Sequence, residues 1–260
     1  MNFTYLTDES EKSLAPFFAP VTLSALWKGV LIVAGLFLIF NPWEDVRKFF
    51  TQQKVPLLFF ELFTATLIIN AYINLRCGRG EMVERRYLHP DRFKHEIATF
   101  EKEQNFFLYG LIEFVLHTLF LICPFLPFLI VAASFSGVSL TTFAKACSVV
   151  FTASLLCRIM GFLIYLFRGR ISAFGHVLAR LFLSIFLFVT ILATPSINPI
   201  LILYDLNSGS HRITTALQDM GLVGRHAYGT YLLTMLAAML FLVIITQLLV
   251  RHAIKKEETT

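Results

Sequence analysis

Six long apolar runs separated by short polar connectors leave this chain few ways to fold. They cover about Leu23–Phe40, Pro56–Leu75, Phe106–Phe135, Phe143–Phe167, Ile171–Tyr204 and Tyr228–Val250. A helix that crosses a bilayer needs roughly 20 apolar residues. In hydrocarbon every backbone N–H and C=O must be paired within the protein, so runs of this length are helices. Composition agrees: 57% of the 260 residues are hydrophobic and 15% charged, against about 25% charged in a soluble domain. The expected fold is all-α, a polytopic integral membrane protein with six transmembrane helices and a re-entrant or broken segment before the last. Residues 1–260 form a single transmembrane domain, and six spans leave no stretch for a soluble catalytic domain of ordinary size.

The third and fifth runs are too long for one crossing. Pro124 and Pro127 lie near the end of the third, and Pro195 and Pro199 near the end of the fifth. Proline removes a backbone donor and clashes with the preceding helical turn. The third helix is therefore expected to reach about Leu121, and the fifth about Ala193, before the chain bends or turns back.

Basic residues give the orientation. With Met1 in the cytoplasm, fifteen of the 22 Lys and Arg residues fall on that side, seven of them between Arg76 and Lys102. Six fall on the other side: Arg47, Lys48, Lys54, Lys145, Arg212 and Arg225. An excess of Lys and Arg marks cytoplasmic loops, so both termini are expected inside a multi-pass cell membrane. The net charge of +5 is thus explained by helix ends, and no nucleic-acid partner is expected. The first twenty residues carry Asp8, Glu9 and Glu11 and no apolar core, so they are not a cleavable signal peptide. They are expected to form a surface helix or a frayed end.

The largest cytoplasmic loop, 76–104, reads RCGRGEMVERRYLHPDRFKHEIATFEKEQ. Gly78 and Gly80 are expected to break the preceding helix, and EMVERRYL to form a short helix that stops at Pro90. This is either a solvated connector or an element on which a partner docks. No GxxxxGK[ST], HExxH, GxSxG or GxGxxG occurs, and the four cysteines contain no CxxC pair. No enzyme activity, cofactor or metal is expected of this chain. The remaining local signals are ionisable residues inside apolar runs, because each is costly to bury. They are Glu61, the pair Glu113 and His117 on one helical face, and Arg158. At 1.5 Å per residue, Arg158 lies about 15 Å from Arg168, and Glu113 about 10 Å from the start of its run on the same side. They can meet, as a lock between helices or as a polar lining or relay; the alternative is that Arg158 snorkels to the membrane surface.

One stretch carries more than apolar patterning. CPFLPFLIVAASFSGVSLTTFAKACSVVFTASLLCRIMGFLIYLFRGRISAF, Cys123 to Phe174, resembles the ABC-2 type permeases, membrane subunits of a class of ATP-binding-cassette transporters. The shared features are a proline-bearing end to the third helix, the small-residue turn Gly137-Val138-Ser139, and the basic pair Arg168 and Arg170 after the fourth helix. LATPSINPI, through Ala193 to Ile200, is similar to the exit of their fifth helix. Of the family's acidic-basic run after the second helix, this chain keeps Glu84 and Arg85, followed by Arg86. The resemblance implies a permease subunit of an exporter, paired as a homodimer or with a related permease. A separate ATP-binding subunit would dock on Glu84, Arg85 and Arg86 as the coupling element. Two other classes remain open: a non-transporting membrane scaffold or assembly factor, and an intramembrane enzyme built on Glu113, His117 and Arg158.

Overall fold

A computed structural model of the chain describes residues 20–40, 58–79, 106–168, 173–208 and 227–258. Among these residues the regular elements are all helical. The helices are α1 (Pro20–Phe40), α2 (Leu58–Gly78), α3 (Phe106–Ile122), α4 (Leu126–Ser136), α5 (Leu140–Arg168), α6 (Ala173–Ser184), α7 (Thr190–Ala193), α8 (Pro199–Ser208) and α9 (Ala227–Glu258). Five helical stretches are long and apolar enough to cross a membrane: Leu58–Gly78, Phe114–Ser136, Leu140–Tyr165, Phe174–Ala193 and Ala227–Leu249. In α1 the apolar stretch is the shorter Ser24–Leu36. The expected surface helix before α1, the polar loop beyond Arg79 with Glu84, Arg85 and Arg86, and the loop after Ser208 lie outside the described residues.

Two helices make the centre. The apolar windows of α2 and α5 are 61% and 72% buried, whereas those of the α3–α4, α6–α7 and α9 stretches are 33% or less. α2 packs on α5 and also on α1, α3, α4, α6 and α8, and α5 on α3, α6, α8 and α9. The central pair runs parallel. Phe63 of α2 meets Phe143 of α5 edge to face at 5.8 Å near one end, and Gly78 abuts Arg158 and Phe162 near the other.

The outer helices are apolar on both faces. On α9, Tyr231, Met235, Met239, Val243 and Thr246 point inward, while Leu233, Leu236, Leu240, Ile244 and Leu248 stand exposed on the opposite side. Both stripes follow the three-and-four spacing of one helix. In water the outer stripe would be a large apolar patch, and in a bilayer it faces lipid.

The third run leaves the α-helix at Ile122, close to the expected Leu121. α3 tightens into a 3₁₀ turn at Cys123–Phe125 and continues as α4, with Ile122, Phe125 and Leu126 all in right-handed helical torsions. Thr118, Leu121, Ile122, Phe125, Leu129, Ala132 and Ala133 keep one buried stripe across the break. Packing thus holds the helix direction through a turn that lacks proline donors.

The turn from α4 to α5 is compact. Gly137 takes the left-handed torsions φ 64°, ψ 33° that glycine adopts freely. Val138 N–H donates to Ala133 C=O (3.0 Å) and Gly137 N–H to Ser134 C=O (3.1 Å), closing α4. Ser139 then caps α5, its hydroxyl accepting from Thr142 N–H at 3.2 Å. α4 packs mainly on α2, not on α5. Phe59 N–H of α2 donates to Ser136 Oγ at 3.1 Å, so the hairpin straddles the first turn of α2. The two arms meet instead farther down, where Phe114 packs edge to face on Phe162 at 5.5 Å.

The fifth run does break after Ala193. α6 widens into a π turn at Ile185–Val189 and ends with α7. Thr194 leaves helical torsions (φ −147°, ψ 70°), and Asn198 is extended (φ −80°, ψ 117°). Asn198 is wholly buried and closes the break with three hydrogen bonds. Its Nδ2 donates to Leu187 C=O (2.9 Å) and Thr190 Oγ1 (2.7 Å), and its Oδ1 accepts from Leu201 N–H (3.0 Å) as the cap of α8. α8 then packs on α5, α2 and α9.

Candidate functional site

A buried polar stripe runs down α2. Thr66, Asn70 and Asn74 recur every four residues, hence on one face, and all are fully buried. Asparagine competes with the helix backbone for hydrogen bonds. Here the amides bond backward instead: Asn70 Nδ2 donates to Thr66 C=O at 3.1 Å and Asn74 Nδ2 to Asn70 C=O at 3.0 Å. That leaves each Oδ1 pointing away from α2. Asn74 Oδ1 accepts from Thr118 Oγ1 of α3 at 3.0 Å and from Arg158 Nη1 of α5 at 3.4 Å. One amide oxygen therefore ties three helices together.

Arg158 completes the cluster. It is 5% exposed and points into the bundle, which removes the possibility that it snorkels to the membrane surface. Its Nη2 meets Nδ1 of His117, a residue just as deeply buried. A guanidinium only donates, so Nδ1 accepts and the imidazole proton sits on Nε2. The guanidinium also lies over the Phe114 ring, 5.1 Å from its centroid, in a cation–π arrangement.

Of the ionisable residues flagged from sequence, His117 and Arg158 come together. Glu113 lies on α3 one turn before His117, and its side chain is outside the described residues. Glu61 is half-buried in the first turn of α2, thirteen residues from Asn74, or about 20 Å along the helix. Asn70, Asn74 and Thr118 were not anticipated. The available signal was the four-residue polar spacing of Thr66, Asn70 and Asn74 within an otherwise apolar run.

A second feature lies one turn beyond the cluster, at the end of α2. A Cβ on Gly78 would sit 2.2 Å from Arg158 C=O, and one on Gly161 would sit 2.3 Å from Leu75 C=O. α2 and α5 thus touch backbone to backbone. α2 ends at Gly78, as expected of this glycine, which also serves as a packing contact. Arg79 follows, 1% exposed, with Nη2 only 3.1 Å from where a Cβ on Gly175 of α6 would be. The last described turn of α2 is seated on both α5 and α6.

At the opposite end, hydroxyls join α5 to α9. Ser148 Oγ bonds Tyr228 Oη at 2.7 Å, and Thr152 Oγ1 bonds Tyr231 Oη at 3.2 Å. Lys145 Nζ lies over the Tyr228 ring at 5.4 Å.

Among the described residues no group of three or more His, Cys, Asp or Glu could hold a metal ion. Cys77, Cys123, Cys147 and Cys157 are free thiols. The interior cluster contains amides, hydroxyls, an imidazole and a guanidinium, which suits hydrogen bonding and charge placement. No protein-family model matches the chain, and neither does any curated protein or solved structure.

Proposed function

We propose that this chain is the six-span membrane subunit of an ATP-driven transporter of the ABC type, an exporter, with ATP hydrolysis on a separate subunit. In this reading α1 supplies the sixth crossing, the broken segment ending in α8 is re-entrant, and both termini are cytoplasmic. The observation that supports it is the seating of α2's last turn. The loop expected to meet the ATPase, which carries Glu84, Arg85 and Arg86, follows Arg79 in the sequence. A push delivered there meets α2 where Gly78 and Gly161 leave no side chain to absorb it, and where Arg79 rests on α6. Close-packed contacts transmit displacement with little loss. The force would therefore reach the two central helices and α6 together, and rock the polar cluster that α2, α3 and α5 share.

The test is purification of the full-length protein from its native membrane, identification of the co-purifying ATPase, and reversal of Arg85 and Arg86 to Glu. The double variant is expected to insert normally and to lose stimulated ATP hydrolysis. Unchanged stimulation removes the docking role, and absence of any ATPase among stable partners removes the transporter reading in favour of a scaffold.

A further inference from the structure

We propose that the seam between α2 and α5 binds water inside the apolar bundle, in a file from Thr66 past Asn70 and Ser154 toward Arg158. Three side-chain oxygens carry the inference. Thr66 Oγ1, Asn70 Oδ1 and Ser154 Oγ are buried without a hydrogen-bond partner among the described residues, on side chains that are 0% exposed. Lipid offers no partner, and an oxygen stripped of water with nothing in exchange is costly.

Their placement makes one site of them. The contact of Gly161 with Leu75 and Arg79 aligns the two parallel helices, which sets Arg158 beside Asn74. One turn along each helix, Ser154 then comes to the level of Asn70, with Thr66 a turn beyond. The nearest protein donors on α2 are already engaged, Asn70 Nδ2 with Thr66 C=O and Asn74 Nδ2 with Asn70 C=O.

Chemistry chooses the ligand. Asn70 Oδ1 only accepts, while the hydroxyls of Thr66 and Ser154 both donate and accept. The ligand must therefore donate at one point and do either at the others. A metal cation is disfavoured by the Arg158 guanidinium one turn away, and an anion by the acceptor oxygen of Asn70. Water meets all three demands, and buried waters characteristically bridge polar groups in this way. The inference stands on this geometry alone and does not need the transport reading.

The experiment is water-edited solid-state NMR on the full-length, isotope-labelled protein in lipid bilayers. Signals of the Asn70 side chain and Ser154 are expected to grow rapidly from water magnetisation, while Leu129 of α4, equally buried but away from this seam, stays dark. A dark Asn70 and Ser154 overturns the proposal. In a second sample, Asn70→Leu with Ser154→Ala should abolish water transfer to the Thr66 methyl while leaving helix content by circular dichroism unchanged. Transfer that persists in that sample shows that these oxygens do not hold the water, and overturns it equally.

Discussion

Replacing Gly161 with alanine tests the central crossing by sign as well as size. A Cβ at this position falls 2.3 Å from Leu75 C=O, 3.1 Å from the Leu75 carbonyl carbon and 3.2 Å from Arg79 N. Ordinary carbon contacts begin near 3.4 Å, so the helices must part by about 1 Å. The obstacle is backbone on both sides, and no rotamer change relieves it. Overpacking of this kind costs about 1–3 kcal/mol, and a rigid neighbour places the cost at the upper end. Parting also weakens contacts along the seam, since a gap of up to about 1 Å forfeits a quarter to a half of each dispersion well. Against this, glycine to alanine inside a helix gains about 1 kcal/mol. The expected net effect is a loss of about 2 kcal/mol. Gly35→Ala is the matched control, because nothing lies within 4 Å of a Cβ there. That variant should be neutral or more stable by up to about 1 kcal/mol. Reversible unfolding in mixed detergent micelles measures both. If Gly161→Ala proves as stable as Gly35→Ala, the backbone contact does not exist and the force path built on it fails with it.

Asn198→Leu removes three buried hydrogen bonds, which should cost about 2–4 kcal/mol in the same unfolding assay. A loss below about 0.5 kcal/mol would mean that the break after Ala193 is not held by this side chain. Arg158 touches Phe114 and His117, which follow Glu113 on α3 by one residue and by one turn. Glu113→Gln and Arg158→Gln are therefore expected to couple by about 1 kcal/mol or more in a double-mutant cycle, and strict additivity would show that the two do not meet. For orientation, a membrane-impermeant thiol reagent applied outside the cell should reach Ser208→Cys and miss Leu88→Cys, and the reverse pattern would invert the topology.

Long apolar runs made the helices legible, because only helices satisfy a backbone in lipid. The Gly137–Ser139 turn and the break after Ala193 were legible from glycine, serine and proline, whose torsional and donor limits act locally. His117, on one helical face with Glu113, and Arg158 stood out as ionisable groups in apolar surroundings, and helix rise put Glu113 and Arg158 at a depth where they can meet. That Arg158 bonds His117 and Asn74 was not readable, since it depends on how the helices turn toward one another. Asn70, Asn74 and Thr118 are neutral and raised no alarm, although Asn74 is the residue that joins the three helices. Gly78 ends α2 as its local weakness in a helix suggests. Its second role, letting another backbone come close, was not legible, because that partner lies 80 residues away in α5. Pro124 and Pro127 end the α-helix at Ile122, close to where expected, but the chain passes through a 3₁₀ turn straight into α4.

The position of α2 bears on how such a chain is made. Ribosomes deliver α2 well before α5, yet α5 covers much of its polar stripe and supplies Arg158 to Asn74. α2 is also the least apolar of the five stretches long enough to cross, with a mean hydropathy of 1.5 against 2.0 to 2.5 for the others. Until α5 emerges, Asn70 and Asn74 have no such cover, and α2 is the helix least willing to stay in the bilayer alone. The nascent protein therefore passes through a stage in which its future centre is its weakest membrane anchor. Truncation before Leu140 should leave α2 slipping from the insertion machinery and exposed to membrane proteases, whereas truncation after Arg168 should retain it.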